Sequence, residues 1–432
     1  MSALDSAPTP LRFSALGERA QPPTIARLMN QALENPELLS LAAGFTDNRT
    51  QPVAAVQRVI DELAAQPGEP EYLQYGTNAG RPGLRRLLAE RLARWDTSIT
   101  AKDIYDHCFI TNGSQQALYL AMQVLCEPGD IVLVDRPSYF VYLEMLAGLG
   151  IEAVSIPVDG AGEVDAQALR TRLAELTAAG RRERVKAVYF VSYFSNPSGR
   201  SLSSAEKHTL AVALRETGYQ IPVIEDAAYR ELYYREPDQT PSVLGDSVWE
   251  GFPRLYLSTL TKPFASGLKV GFGVCSDDAW RAKMLHVKGH QDFGSANFNQ
   301  AIMERVLGEG GLDSQLAIIR PVYEAKMRAL HGALIEAGLS ELGWRWNEPT
   351  GGLYLWLEAP PEVDTGLASE FCRACIEAGV LYVPGELCFG DAITTHQVRL
   401  SFGVLAEAEL AEAGRRFVSV ASRFAVSAPV KV

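Results

Sequence analysis

One lysine stands in a run of hydroxyl and glycine residues, directly after a short apolar stretch. Lys262 follows residues 255–257, which predict a buried strand, and residues 258–271 are rich in Ser, Thr and Gly. The spacing places Lys262 at the carboxyl end of that strand. Its amine is a nucleophile for carbonyl chemistry only when neutral, and burial or a nearby cation such as Lys269 lowers its pKa towards that state. The alternative interpretation is a surface lysine in a polar loop.

A second segment is typical of an anion-binding turn. Residues 108–111 predict a strand, and Gly113, Ser114 and Gln115 then begin a helix. Unpaired amides and the positive end of the helix dipole would face one point there. The alternative is an ordinary serine N-cap. The segment has no Gly-Lys-Ser/Thr, so it does not predict a nucleotide-binding P-loop.

Two charged residues stand in apolar strands. Asp226 ends a strand predicted over residues 222–226, and Arg399 lies within residues 398–402. A charge in such a position is costly unless it is paired, and a substrate carboxylate is a natural two-pronged partner for an arginine. The alternatives are a metal ligand or helix cap for Asp226 and a structural ion pair for Arg399.

These segments together resemble the class I/II aminotransferases, which are fold-type I pyridoxal-phosphate enzymes. The Schiff-base segment of that family reads Ser/Thr-x-Ser/Thr-Lys and ends in Gly-x-Arg/Lys-x-Gly. The corresponding residues here are Thr259, Thr261, Lys262, Gly267, Lys269 and Gly271. Lys269 replaces the commoner arginine, so it can supply charge to a phosphate but not a guanidinium's two-pronged hydrogen bonding.

The resemblance implies pyridoxal 5'-phosphate as the cofactor and assigns residues to it. The implied catalytic residues are Lys262, Asp226 and Tyr229. The implied cofactor-binding residues are Gly113, Ser114, Gln115, Tyr139, Asn196, Asp226, Tyr229, Thr259, Thr261, Lys262, Lys269 and Tyr75. In these roles Tyr139 stacks on the cofactor ring, and Asn196 and Tyr229 reach its phenolic oxygen. Asp226 keeps the ring nitrogen protonated, which the ring needs to act as an electron sink.

The resemblance also implies a substrate site and a partner. Gly44, Asn196 and Arg399 would bind the substrate carboxylate, and Tyr75 would reach the cofactor phosphate of a second subunit, so we expect a homodimer with shared sites. The substrates would be an amino acid and a 2-oxo acid. Residues 45–49 depart from the family pattern after Gly44, and we expect this departure to affect substrate identity more than cofactor binding.

The function implied is transamination, in which an amino group moves from an amino acid to a 2-oxo acid in two half-reactions. A lyase, cyclase or decarboxylase of the same fold stays open, because those chemistries use the same lysine and electron sink. A transcription regulator with this domain would need a basic winged-helix module ahead of it, and only about forty residues precede Leu41. A nicotinamide enzyme would need Gly-x-Gly-x-x-Gly between a strand and a helix, which we do not find.

Composition excludes several partners. The chain has 432 residues, is 47% hydrophobic and carries a formal charge of −12. The one short basic group is Arg181, Arg182 and Arg184, so no nucleic-acid surface is predicted. The first two dozen residues contain no continuous apolar run, and we expect a cytoplasmic protein without a membrane span. Cys372 and Cys375 form a C-x-x-C without a second pair, so no metal site is expected.

The predicted fold class is α/β, because strands and helical segments alternate along the chain. The resemblance implies a large domain with a mainly parallel seven-stranded sheet between helices, and a smaller α+β C-terminal domain. The predicted divisions are residues 1–57 for an arm and a segment joining the small domain, 58–318 for the cofactor-binding domain and 319–432 for the small domain. Within them we expect a loose arm over residues 1–18, a helix over 25–33 and a long helix starting near Ile319.

Overall fold

The structure, a computed structural model, describes residues 11–425 apart from 25, 27–29, 31–33 and 36. Residues 1–10 of the predicted arm therefore lie outside the described residues, as does most of the helix predicted over 25–33. The rest of the arm contains a short helix, α1 (Ala15–Arg19), which was not predicted. The Ser14 hydroxyl accepts a hydrogen bond from the Gly17 amide at 3.1 Å, a local N-cap that starts the turn.

The remaining helices of the described chain lie mostly between its strands, singly or in runs of three. They are α2 (Val53–Ala65), α3 (Pro82–Trp95), α4 (Ala101–His107), α5 (Gly113–Leu125), α6 (Phe140–Leu149), α7 (Ala166–Ala178), α8 (Ser204–Glu216), α9 (Asp278–Gln291), α10 (Asn297–Gly308), α11 (Gly311–Glu336), α12 (Glu370–Glu377) and α13 (Glu407–Arg423). Several begin at side-chain caps, and α8 has a capping box in which Ser203 and Glu206 satisfy each other's backbone amides.

The strands form one large and two small sheets. They are β1 (Leu39–Ser40), β2 (Cys108–Asn112), β3 (Ile131–Val134), β4 (Glu152–Ser155), β5 (Val185–Val191), β6 (Val223–Asp226), β7 (Arg254–Thr259), β8 (Val270–Cys275), β9 (Arg345–Trp346), β10 (Tyr354–Glu358), β11 (Val380–Leu381), β12 (Val383–Pro384) and β13 (Gln397–Ser401). The large sheet has seven strands in the order β2-β8-β7-β6-β5-β3-β4. Only β8 runs antiparallel to its neighbours, so the predicted mainly parallel sheet is confirmed.

Helices cover both faces of the large sheet, which explains why its central strands are apolar throughout. On one face Val132, Ala187 and Leu257 pack in a core that includes α5, α6 and α9. On the other face Leu133 and Val188 pack in a core that includes α7 and α8. Because β5, β6 and β7 are parallel neighbours, their carboxyl ends lie side by side at one edge of the sheet. Ligands bind at this edge in open α/β sheets.

The C-terminal elements build a second layer around a four-stranded antiparallel sheet in the order β12-β13-β10-β9. The long helix predicted to start near Ile319 starts at Gly311 instead, so that prediction was wrong by two turns. Pro321 resembles a first-turn proline in the sequence but lies inside the helix, and Gly310, with φ of +74°, precedes the true start. The predicted division at residue 318 therefore falls within one continuous helix.

The segment around β1 packs with the C-terminal layer. β1 pairs in parallel with β11, and the Ser401 amide donates to the Leu41 carbonyl at 2.7 Å. Cys372 and Cys375 are buried in α12, where burial raises the pKa of both thiols. Within the described residues, no helix is both long and apolar enough to span a bilayer.

Candidate active site

Lys262 lies in the turn after β7 and is partly buried. Its Nζ donates a hydrogen bond to the Gly44 carbonyl oxygen at 2.7 Å, across 218 residues of sequence. Burial is the main cause that lowers the pKa of this amine to about 8, and the positive charges of Arg399 and Lys269 add to the effect. The structure therefore brings the pKa of Lys262 much nearer to physiological pH, so a larger fraction of the amine is in the neutral, nucleophilic form that its chemistry requires.

The anion-binding turn lies beside the same loop because of one glycine. A Cβ at Gly271 would come within 2.4 Å of the Gly113 backbone, so only glycine allows β8 to lie against the first turn of α5. A Cβ at Gly113 would lie 4.0 Å from the Thr261 methyl group, which places the start of α5 next to the lysine loop. The Thr261 amide donates to Thr259 Oγ1 at 3.1 Å and fixes that loop.

Two of the other predicted phosphate ligands border an open space. Gln115 and Lys269 line a cavity of about 750 Å³ whose wall includes the N-terminal residues 19–24. Lys269 is exposed and has φ of +55°, a left-handed conformation that aims the turn into β8. An exposed cation and the free amides at the start of α5 form a suitable cradle for a phosphate.

Asp226 ends β6 and is 4% exposed. The Ala228 amide and the Tyr189 hydroxyl donate to its carboxylate at 3.0 and 3.3 Å, yet burial raises its pKa to about 6. Within the described chain no Lys or Arg forms an ion pair with it. Its neighbour Glu225 is equally buried but pairs with Lys207 at 2.6 Å. Asp226 is thus a buried acid without its cation, which fits a protonated ring nitrogen.

Arg399 is a buried cation for which the described residues provide no acidic partner. It is 1% exposed and donates to Asn196 Oδ1 at 2.9 Å and to the Ala42 carbonyl, while no described residue accepts a hydrogen bond from its Nε. Its guanidinium lies 4.6 Å from the centre of the Tyr354 ring. A buried guanidinium that meets only neutral oxygens is suited to bind a carboxylate. The predicted proximity of Asn196 and Arg399 is therefore observed.

Gly44, Tyr229 and Tyr139 surround this space. A Cβ at Gly44 would lie 2.8 Å from the Tyr354 hydroxyl, so a larger residue would be excluded there. The Tyr229 hydroxyl lies 2.9 Å from that of Tyr354, and burial holds the pKa of Tyr229 well above its usual value. Tyr139 precedes α6, and its ring contacts Phe140 edge-on at 6.2 Å.

Tyr75 is a predicted site residue that lies apart from the Lys262 site within a single chain. It is 77% exposed, and its ring contacts Phe293 at 5.7 Å. Among the described residues, no hydrogen bond links its side chain to another predicted site residue. Tyr354, by contrast, is not among the predicted site residues, yet it contacts both Tyr229 and Arg399. The available signal was an aromatic residue two positions after the glycine pair 351–352, at the start of β10.

Known proteins resemble this chain over nearly its whole length. The family model described as aminotransferase class I and II matches residues 36–417, nearly the whole chain. The chain belongs to this family. It is 31% identical over 404 residues to aromatic-amino-acid aminotransferase 1 of Thermococcus litoralis, covering 93% of this chain and 91% of that protein.

Two solved structures support the same fold for this aminotransferase. The multiple substrate aminotransferase from Thermococcus profundus matches with a TM-score of 0.84, 29% identity and coverage of 95% of this chain and 98% of that one. The α-aminoadipate aminotransferase LysN from Thermus thermophilus, complexed with N-(5'-phosphopyridoxyl)-L-leucine, matches with a TM-score of 0.78, 29% identity and coverage of 95% and 97%.

These matches confirm the predicted class of enzyme. The protein is a transaminase of fold-type I that uses pyridoxal 5'-phosphate. The three relatives described above are aminotransferases, which disfavours the lyase, cyclase and decarboxylase alternatives.

Proposed function

We propose that transamination in this protein is carried out by Lys262, with Asp226 and Arg399 on either side of the reaction. The strongest support is that Asp226 and Arg399 are both buried, and neither forms an ion pair among the described residues. The third residue, Lys262, has a lowered pKa. The bound cofactor supplies an electron sink for the substrate's α carbon. Lys262 would hold the cofactor covalently, and its amine would accept the proton that leaves the substrate's α carbon.

The remaining residues bind and orient. Gly113, Ser114, Gln115 and Lys269 hold the phosphate, and Thr259 and Thr261 shape the turn that faces it. Tyr139 covers one face of the ring, and Asn196 and Tyr229 meet its phenolic oxygen. Asn196, with Gly44 and Arg399, also holds the substrate carboxylate. These roles agree with the positions of the side chains at one edge of the sheet.

For the substrate we propose L-amino acids with large side chains, and we place aromatic amino acids and 2-aminoadipate first. The support is that relatives with these names cover almost the whole chain at about 30% identity. A 2-oxo acid such as 2-oxoglutarate would be the acceptor. The cytoplasmic location stays a prediction.

The half-reaction tests this proposal directly. Mixing the enzyme with an amino donor alone should convert the visible band to the spectrum of pyridoxamine phosphate and release one equivalent of 2-oxo acid. The matched control is the same donor without its carboxylate, which Arg399 cannot hold and which should leave the band unchanged. Stoichiometric release of ammonia or carbon dioxide would instead show an elimination or decarboxylation.

We further propose that the active unit is a homodimer in which Tyr75 completes the partner's site. Asn297 donates to the Glu71 and Gln74 carbonyls at 3.0 Å each, so the turn that carries Tyr75 is held in place although its side chain is exposed. Leu73 and Phe293 are also exposed, at 67% and 66%. A rigid turn with exposed apolar side chains fits a two-fold interface.

Complementation between two inactive variants should reveal the shared site. Lys262→Ala and Tyr75→Ala are each expected to be inactive, but in a mixed dimer one site carries both defects and the other carries neither. An equal mixture after subunit exchange should recover about a quarter of the wild-type activity. The control mixes Lys262→Ala with Asp226→Ala, whose residues act in the same chain and should give no recovery. Absence of recovery for the first pair despite proven exchange would rule out the shared site.

A further inference from the structure

Tyr354 contacts two groups of the active site, although it is not among the site residues predicted from the sequence. It is 1% exposed at the start of β10, where it pairs with Ser401 of β13. Its hydroxyl lies 2.9 Å from that of Tyr229, and its ring lies 4.6 Å from the Arg399 guanidinium carbon. The strand pairing thus fixes its side chain between the predicted cofactor side and the predicted carboxylate side of the site.

The hydroxyl groups of Tyr229 and Tyr354 carry two protons, but the hydrogen bond between them uses only one. Each hydroxyl carries a single O–H donor, and only one of the two can donate to the other. Within the described residues, neither Tyr229 nor Tyr354 has a further hydrogen-bond partner for its hydroxyl. A buried O–H without an acceptor is costly, so the second proton requires an acceptor supplied by a bound molecule.

We propose that Tyr354 donates to Tyr229 and thereby directs the Tyr229 proton to the phenolic oxygen of the cofactor. The Arg399 charge against the Tyr354 ring makes that hydroxyl the better donor of the two, because a nearby cation stabilises the negative charge that builds up on the oxygen as its proton is shared. Hydrogen bonds in a chain strengthen one another, so the donation to Tyr229 strengthens the donation by Tyr229. Tyr354 is therefore a positioning residue, and this inference rests on the role proposed for Tyr229.

Tyr354→Phe tests the inference in the resting enzyme, without substrate. A donor to the phenolic oxygen stabilises the form of the lysine-linked cofactor that has lost its proton, so a weaker donor raises the pKa of that link. The visible band should therefore titrate about half a unit to one unit higher in Tyr354→Phe. The matched control is Tyr382→Phe, which removes an equally buried hydroxyl that donates to the Thr365 carbonyl at 2.8 Å. It should leave the titration unchanged.

A double-mutant cycle separates this inference from the role of Tyr229. Tyr229→Phe alone should raise the pKa of the band by more than Tyr354→Phe does, and adding Tyr354→Phe to it should cause no further shift. An unchanged pKa in Tyr229→Phe would refute the role of Tyr229 itself. A shift in Tyr229→Phe with none in Tyr354→Phe, or two shifts that add, would refute only the inference about Tyr354.

A second variant keeps the test open if Tyr354→Phe fails to bind the cofactor. Replacing Tyr354 with 3-fluorotyrosine keeps the ring and hydroxyl but makes the hydroxyl a stronger donor. The pKa of the visible band should then fall below that of the unmodified enzyme. A rise, or no change, would contradict the proposed direction of donation.

Discussion

Lys262→Ala should abolish the visible band of the enzyme and lower turnover by about a thousandfold or more. No other lysine in the described chain combines a pKa near 8 with a place at the carboxyl end of the central strands. Absorbance and a steady-state assay measure both effects. Lys283→Ala changes an exposed lysine of α9 and should retain the band. A borohydride-reducible linkage that persists in Lys262→Ala would contradict the assignment.

The lowered pKa of Lys262 also predicts how the apoenzyme takes up the cofactor. Only the neutral amine attacks the aldehyde, so the rate of band formation should rise with pH and level off above about pH 8. An ordinary lysine, with a pKa of 10.5, would still be gaining rate at that pH. If the rate of band formation reached half its maximum near pH 10.5, burial and the charge of Arg399 would not act on Lys262 as the structure indicates.

The motifs that follow strands could be predicted from the sequence because each is local. Gly113, Asp226 and Lys262 come at or directly after a strand end, and in a mainly parallel sheet most of those ends meet at one edge. The order of the strands was not needed to expect that these residues converge. The convergence of Asn196 with Arg399 was predictable only through the family resemblance, since 203 residues separate them.

Contacts between the two layers were beyond the sequence pattern. The Tyr229 and Tyr354 hydroxyls are 125 residues apart, and the Lys262 amine and Gly44 carbonyl are 218 residues apart. Neither pair has a periodicity or spacing that marks it. Tyr354 was missed because an aromatic residue in an alternating strand usually packs in a core, and its hydroxyl partner belongs to another layer.

The departure from the family pattern at residues 45–49 shows a similar limit to what the sequence alone can predict. Asp47 is 3% exposed and pairs with Lys326 of α11 at 2.6 Å, and Arg49 also binds it. These contacts outweigh burial and lower the pKa of Asp47. The segment that presents the Gly44 carbonyl to Lys262 is thus anchored to the C-terminal layer. Phe45, Asn48 and Arg49 of the departure are exposed, and the effect of residues 45–49 on substrate identity stays a prediction.

Asp226→Ala should lower turnover about a hundredfold or more while most of the fold persists. The carboxylate is the group that would keep the ring nitrogen protonated, and without it the electron sink is lost. Asp226→Asn preserves the shape of the side chain and should be similarly impaired, which separates charge from packing. Glu225→Gln is the contrasting control. It leaves Lys207 without its buried partner, so it should lower the free energy of unfolding by about 3 to 5 kcal/mol but spare the turnover of the folded enzyme.

The same carboxylate should give the apoenzyme a distinct pH dependence of stability. Burial raises the pKa of Asp226 from 3.8 to about 6, so between those values the folded state binds more protons than the unfolded state. Its contribution to stability is therefore favourable below about pH 4 and is lost as pH rises to about 6, a change of about 3 kcal/mol. Comparing urea unfolding of apo wild type and apo Asp226→Asn across this range cancels the groups that do not feel the charge of Asp226. The buried neighbour that does feel it is Asp135, whose pKa the charge of Asp226 helps to raise. Parallel curves of stability against pH would show that burial does not raise the pKa of Asp226. Near-normal turnover in Asp226→Asn would show that the ring nitrogen does not need this carboxylate.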